Sequence, residues 1–192
     1  MKTLEDAWRW YKDVQAALKR MQRIGEVWWD RIPWEEPPWK GDRHFIELEK
    51  ERVVASAENG WRHLDDIAVV VLFSVFEAAV RGAILEQVAR EEGRCRHRSI
   101  VDAIESAKDR IREGSFFAVL SPFKSLDGPL IEEVHQVRQF RNWVSHGKRG
   151  PRPPFVSPEV AYDRLSRCLP VLIPDAAFHA TDEAAITTEP PR

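Results

Sequence analysis

Between Ile67 and Val80 the chain runs for 14 residues with a single charge, Glu77. A stretch this apolar has to be removed from water. A membrane span needs roughly 20 apolar residues, so this shorter run with a carboxylate in it is expected as a buried helix of a soluble protein. Extended on both sides, IAVVVLFSVFEAAVRGAIL is apolar nearly all round, as the central helix of a bundle is. Other elements must therefore surround it.

The rest of the chain supplies helices for that purpose. No segment shows sustained strand alternation and there is no internal repeat, so the fold class is all-α, a bundle of about five helices with an extra long N-terminal helix. Leu4, Ala7, Trp8, Tyr11, Val14, Leu18, Met21, Ile24, Val27 and Trp28 follow three-and-four spacing over 3–30, with Thr3 and Asp6 as a capping pair. Pro33, Pro37 and Pro38 make 31–43 a loop carrying Trp34 and Trp39. Asn59-Gly60 then divides a long helical pattern into 44–58 and 61–91. Ser99 caps a helix over 100–113 that ends at Gly114. Pro129 opens another that reaches His146, and Ser157-Pro158-Glu159 starts a last one through Leu169. The expected division is 1–43 (N-terminal helix and Trp/Pro-rich loop, packed on the bundle), 44–172 (the helical domain) and 173–192 (a flexible tail).

The 192 residues carry 29 basic and 31 acidic side chains, a net charge of −2, so no overall field draws the protein to nucleic acid. The N-terminus, MKTLEDAWRWYKD, is charged where a signal peptide is apolar. Cys95 and Cys168 form no CxxC pair and fit reduced thiols. A cytoplasmic location without a membrane is expected. There is no Gly-rich phosphate loop, HExxH, GxSxG or EF-hand pattern, so neither a metal nor a cofactor is expected.

Chemistry concentrates in Arg141-Asn142-Trp143-Val144-Ser145-His146-Gly147. A guanidinium grips phosphate through parallel hydrogen bonds, and an imidazole moves protons near neutral pH. On an ideal helix Arg141 and His146 point about 140° apart, so they converge only where the helix unwinds before Gly147. The plainer alternative is a solvated Arg and a His capping the helix end. Between Val134 and Pro158 there is no acid, whereas Arg138, Arg141, Lys148, Arg149 and Arg152 are all present, a candidate phosphate-tracking surface.

RNWVSHG resembles the R-N-x-x-x-H signature of HEPN domains (higher eukaryotes and prokaryotes nucleotide-binding), small all-α bundles that include metal-independent RNases of toxin–antitoxin and antiviral systems. The resemblance covers residues 61–170. It implies a homodimer with two motifs at one cleft, cutting RNA by 2′-hydroxyl attack to leave a 2′,3′-cyclic phosphate. His146 would be general acid or base, Arg141 would hold the scissile phosphate, and Asn142 would orient it, with Arg138, Lys148, Arg149 and Arg152 along the RNA. An antitoxin or defence-system protein is the implied partner. The alternatives are a non-catalytic HEPN-like RNA- or nucleotide-binding or scaffold subunit, and an unrelated helical interaction protein. Where one subgroup silenced by adenylylation has a Tyr, this chain has Lys148, so that regulation is not expected.

Glu77 needs a partner, because an unpaired carboxylate in an apolar helix costs several kcal/mol. It either pairs with Arg81 one turn on or anchors Arg141 or His146 from a neighbouring helix, as an acidic residue does in some HEPN proteins. Among the tryptophans, Trp8 and Trp28 read as core, whereas Trp34 and Trp39 read as exposed contacts for a partner. Arg94-Cys95-Arg96-His97-Arg98 reads as a solvated loop.

Overall fold

The structure, a computed structural model, describes residues 1–37, 39–42, 49–125 and 127–173. Every regular element among them is helical. The expected break at Asn59-Gly60 does not occur: α2 (Lys50–Glu92) is one helix of 43 residues, on the order of 65 Å long. Gly60 is a packing residue instead. A Cβ there would lie 3.1 Å from Leu18 Cδ2, so the bare backbone lets α1 (Leu4–Arg23) approach closely. Gly25 acts likewise, since a Cβ on it would lie 2.5 Å from Val54 Cγ2. Residues 44–48 of the expected helix lie outside the described residues.

The Thr3–Asp6 capping pair is present, with Asp6 N–H donating to Thr3 Oγ1 at 3.1 Å and Thr3 N–H donating to Asp6 Oδ2 at 3.2 Å. Backbone donors from Lys2 and Thr3 hold the Asp6 carboxyl below its usual pKa. The helical path continues beyond α1 to Arg31, but through a π turn (Ile24–Trp28) and a 3₁₀ turn (Trp29–Arg31). Trp8 packs against the core as expected, but the expectations for Trp28, Trp34 and Trp39 reverse. Trp28 is 45% exposed, and Met21, Ile24 and Val27 are exposed beside it. The reason is geometric: α2 packs along this half, and the buried line runs through Tyr11, Val14, Leu18 and Gly25. Trp34 and Trp39 turn inward instead. Trp34 Nε1 donates to the Trp29 carbonyl at 3.0 Å, and its ring lies 4.5 Å from Trp29 and 5.8 Å from Trp39.

The second half of α2 is the centre of the bundle. Its Val69, Leu72, Phe73, Phe76 and Val80 pack with Leu4 and Ala7 of α1, and with Phe116 and Leu120 of the single turn α4 (Phe116–Leu120). The same core takes in Ile131, Val134, Val137 and Phe140 of α5 (Gly128–Ser145), and Ala161, Leu165 and Cys168 of α6 (Pro158–Leu172). Phe116 meets Phe73 and Phe76 edge-on at 5.6 and 5.9 Å, the arrangement aromatic quadrupoles favour. Asp127 caps α5 by accepting from Leu130 N–H at 2.9 Å, and Ser157 caps α6 by accepting from Val160 N–H at 3.3 Å. Ser99 does not cap α3 (Arg98–Glu113). Its hydroxyl bonds His97 Nδ1 at 2.7 Å, inside the first turn. α6 runs on through Pro170 to Leu172 rather than stopping at Leu169. Of the expected tail, Ile173 is buried, and 174–192 lie outside the described residues.

By length and composition alone α2 is apolar enough to cross a membrane, with an 18-residue window of mean hydropathy 2.1. In the bundle it is wrapped by α1, α5 and α6. Between 67 and 84 only Ile67, Ser74 and Ala78 are exposed.

A continuous α2 makes a definite demand at position 60. Gly60→Pro removes a backbone donor and adds a ring clash in mid-helix, and is expected to cost about 3 kcal/mol in urea unfolding. A loss below about 1 kcal/mol would mean that the chain bends there instead.

Candidate active site

The RNWVSHG segment forms the last turn and the end of α5. Helix carbonyls near a C-terminus lack intrahelical donors, and here the following turn supplies them. Gly147 N–H donates to Val144 O at 3.0 Å and Lys148 N–H to Trp143 O at 2.8 Å, with Gly147 in the left-handed region at φ +71°. This pair of bonds is a Schellman closure. His146 is the C-cap residue, with φ −90° and ψ 19°, and its backbone N–H donates to Asn142 O at 2.9 Å. Its side chain is exposed and, among the described residues, has no hydrogen-bond or ion-pair partner. The imidazole thus stands in water at the C-terminal end of α5.

Arg141 is held one turn earlier. Its Nη1 donates to Asn142 Oδ1 at 2.9 Å and its Nη2 to Glu77 Oε2 at 3.5 Å. The guanidinium lies over the Phe73 ring at 5.4 Å, and its Nε is buried with no acceptor. Glu77 turns its other oxygen to Arg81, whose Nε and Nη2 donate to Oε1 at 3.0 and 2.7 Å. Both expected contacts of Glu77 are therefore made at once, one per carboxylate oxygen. Arg81 also donates to the Gly114 carbonyl at 2.9 Å and to the Ile111 carbonyl, and lies over Phe116 at 5.4 Å. One half-buried carboxylate thus ties α2 to α5, and through Arg81 to the end of α3.

The surrounding bases are not equivalent. Lys148 pairs with Asp66 of α2 at 2.6 Å and lies over Trp143 at 5.6 Å, so its charge is already met within the chain. Arg152 lies over the same ring at 5.8 Å. Arg149 is exposed. Arg138 is half-buried, with its guanidinium 5.4 Å from the Phe117 ring and its Nε buried without an acceptor. The structure therefore gathers Arg141, Asn142 and Glu77 directly and places His146 at the same helix end. It brings Arg141 and His146 into no direct contact.

Two residues at this site were not singled out by sequence. His135 is 2% exposed, with its ring 4.7 Å from that of Phe117. The signal for it was helical spacing, since 135, 138 and 142 share one face. Asp66, the partner of Lys148, had no local signal because the pairing runs from the turn after α5 back to α2. Cys168 is no candidate nucleophile, because burial, with Asp127 nearby, pushes its thiol up to about 12. No group of three or more His, Cys, Asp or Glu side chains among the described residues is placed to hold a metal ion.

Removing Glu77 leaves two half-buried guanidiniums without their shared anion. Breaking a fully buried pair costs about 3–5 kcal/mol, and the partial exposure here reduces Glu77→Ala to an expected loss of about 2 kcal/mol in chemical unfolding. A change under about 0.5 kcal/mol would show that the carboxylate does not organise the helices around it.

No protein-family model matches the chain, and no curated protein or solved structure matches it either.

Proposed function

We propose that this protein is a metal-independent endoribonuclease of the HEPN type, acting in the cytoplasm as a toxin or antiviral effector. The observation that carries this reading is the arrangement of Arg141. Asn142 and Glu77 hold its guanidinium from two sides, at the helix end that presents an exposed imidazole from His146. A guanidinium has five N–H donors, and these two bonds leave others for a phosphate.

In the proposed reaction the ribose 2′-hydroxyl attacks the adjacent phosphorus while one His146 takes its proton. Arg141 stabilises the charge that builds on the non-bridging oxygens. The bond to the 5′-oxygen breaks, that oxygen receives a proton from a second His146, and a 2′,3′-cyclic phosphate remains. A homodimer with two facing motifs supplies both histidines from one kind of site. Arg138, Arg149 and Arg152 would follow the flanking phosphates, whereas Lys148 would first have to leave Asp66.

One observation favours the alternative of a binding or scaffold subunit without turnover: among the described residues no hydrogen-bond or ion-pair partner orients the His146 ring. Single-stranded RNA incubated with the purified protein in EDTA decides between them. Wild type should cut it, and Arg141→Ala and His146→Ala should each lower the rate about a hundredfold or more. Expression of wild type, but not of His146→Ala, should slow growth of the host. If wild type leaves RNA intact in EDTA and both proteins are equally harmless, the binding or scaffold role takes the place of catalysis.

A further inference from the structure

The turn after His146 contains a backbone feature that helix termination does not require. A Schellman closure needs one left-handed residue, and Gly147 provides it at φ +71°. Lys148 follows at φ +60°, a conformation uncommon for a residue with a Cβ. Three contacts surround it here. The Lys148 N–H donates to Trp143 O at 2.8 Å, its side chain lies over the Trp143 ring at 5.6 Å, and its ammonium pairs with Asp66 Oδ2 at 2.6 Å. The Asp66 side chain is only 16% exposed, so without Lys148 its charge would stand half-buried and unpaired.

The placement of Asp66 gives this pair its meaning. Asp66 and Glu77 are 11 residues apart on α2, which puts them on one face about 16 Å apart. Phe73, beneath Arg141, shares that face. Glu77 grips Arg141 and Asp66 grips Lys148, so one face of α2 holds the segment 141–148 at both ends. His146 lies between the two grips.

We infer that the Lys148–Asp66 pair is a positioning device that fixes the His146 turn on α2, and so sets His146 relative to Arg141. This rests on the endoribonuclease reading and assigns Lys148 a role other than contact with RNA. The two roles make opposite demands on Asp66. If Lys148 is a positioning residue, removing the Asp66 charge loosens the turn and slows turnover. If Lys148 is a phosphate contact restrained by Asp66, the same change frees a cation and tightens RNA binding.

The experiment measures kcat and KM for a single-stranded RNA in Asp66→Asn, Lys148→Ala and the charge swap Asp66→Lys/Lys148→Asp, with amide hydrogen exchange of residues 146–148 followed in parallel. Asp66→Asn and Lys148→Ala are expected to lower kcat about ten- to a hundredfold, with KM within about twofold of wild type. In Asp66→Asn the Lys148 amide should exchange about tenfold faster. The swap, which restores the pair and puts an aspartate where left-handed backbone is better tolerated, should recover most of both losses. A lower KM with unchanged kcat in Asp66→Asn would overturn the inference, as would unaltered exchange at Lys148. Wild-type protein that does not cut RNA would defeat the endoribonuclease reading, while the exchange measurement would still decide whether Asp66 fixes the turn.

Discussion

A carboxylate in the middle of an apolar helix has to be answered by other charges, and at Glu77 that requirement shapes the molecule. Its neighbours in sequence are Phe76 and Ala78, and the surrounding turns of α2 are core. Arg81, one turn away, would suffice to neutralise it. Instead Glu77 also receives Arg141 from α5, while Arg81 reaches onward to the Gly114 carbonyl. A single desolvated anion thus aligns the central helix, the motif helix and the end of α3. Buried ion pairs add little net stability compared with apolar packing. What this one contributes is placement, since Arg141 can sit in few positions while it holds Glu77 and Asn142 together.

The same face of α2 explains why the motif can combine a rigid element with an exposed one. Arg141 lies against Phe73 and Glu77, and Lys148 lies against Asp66 and Trp143. Between them the chain leaves helical geometry at His146 and lifts the imidazole into solvent. The helix keeps its i→i−4 bonding up to the His146 N–H and ends without bringing Arg141 and His146 together, and His146 is the helix cap that the plainer alternative described. The cap uses the backbone of His146 and leaves the ring unengaged, so capping does not conflict with the proposed role.

How much of this the sequence disclosed depends on the range of the interaction involved. The all-helical class followed from hydrophobic periodicity, and the ends at Gly114 and Gly147 followed from local backbone chemistry. The Thr3 and Ser157 caps were equally legible, because each lies within three residues of its partner. Gly60 misled because a glycine beside an asparagine has the same local signature whether it breaks a helix or admits a neighbour. Only Leu18, 42 positions earlier, distinguishes the two. Trp28 misled because periodicity reports which residues share a face, not how wide a face the neighbouring helix covers. The pairing of Lys148 with Asp66 spans 82 positions and left no trace in either local segment, so an acid-free basic stretch looked freer than it is.

In the proposed reaction Arg141 and His146 cut RNA by way of its own 2′-hydroxyl. That reaction is tested most directly by giving the protein, in EDTA, one single-stranded RNA and the same sequence fully 2′-O-methylated, and identifying the product ends by mass. Cleavage confined to the unmodified strand, with 2′,3′-cyclic phosphate ends, is the expected result. Cutting of the methylated strand, or 5′-phosphate ends on the products, would contradict it.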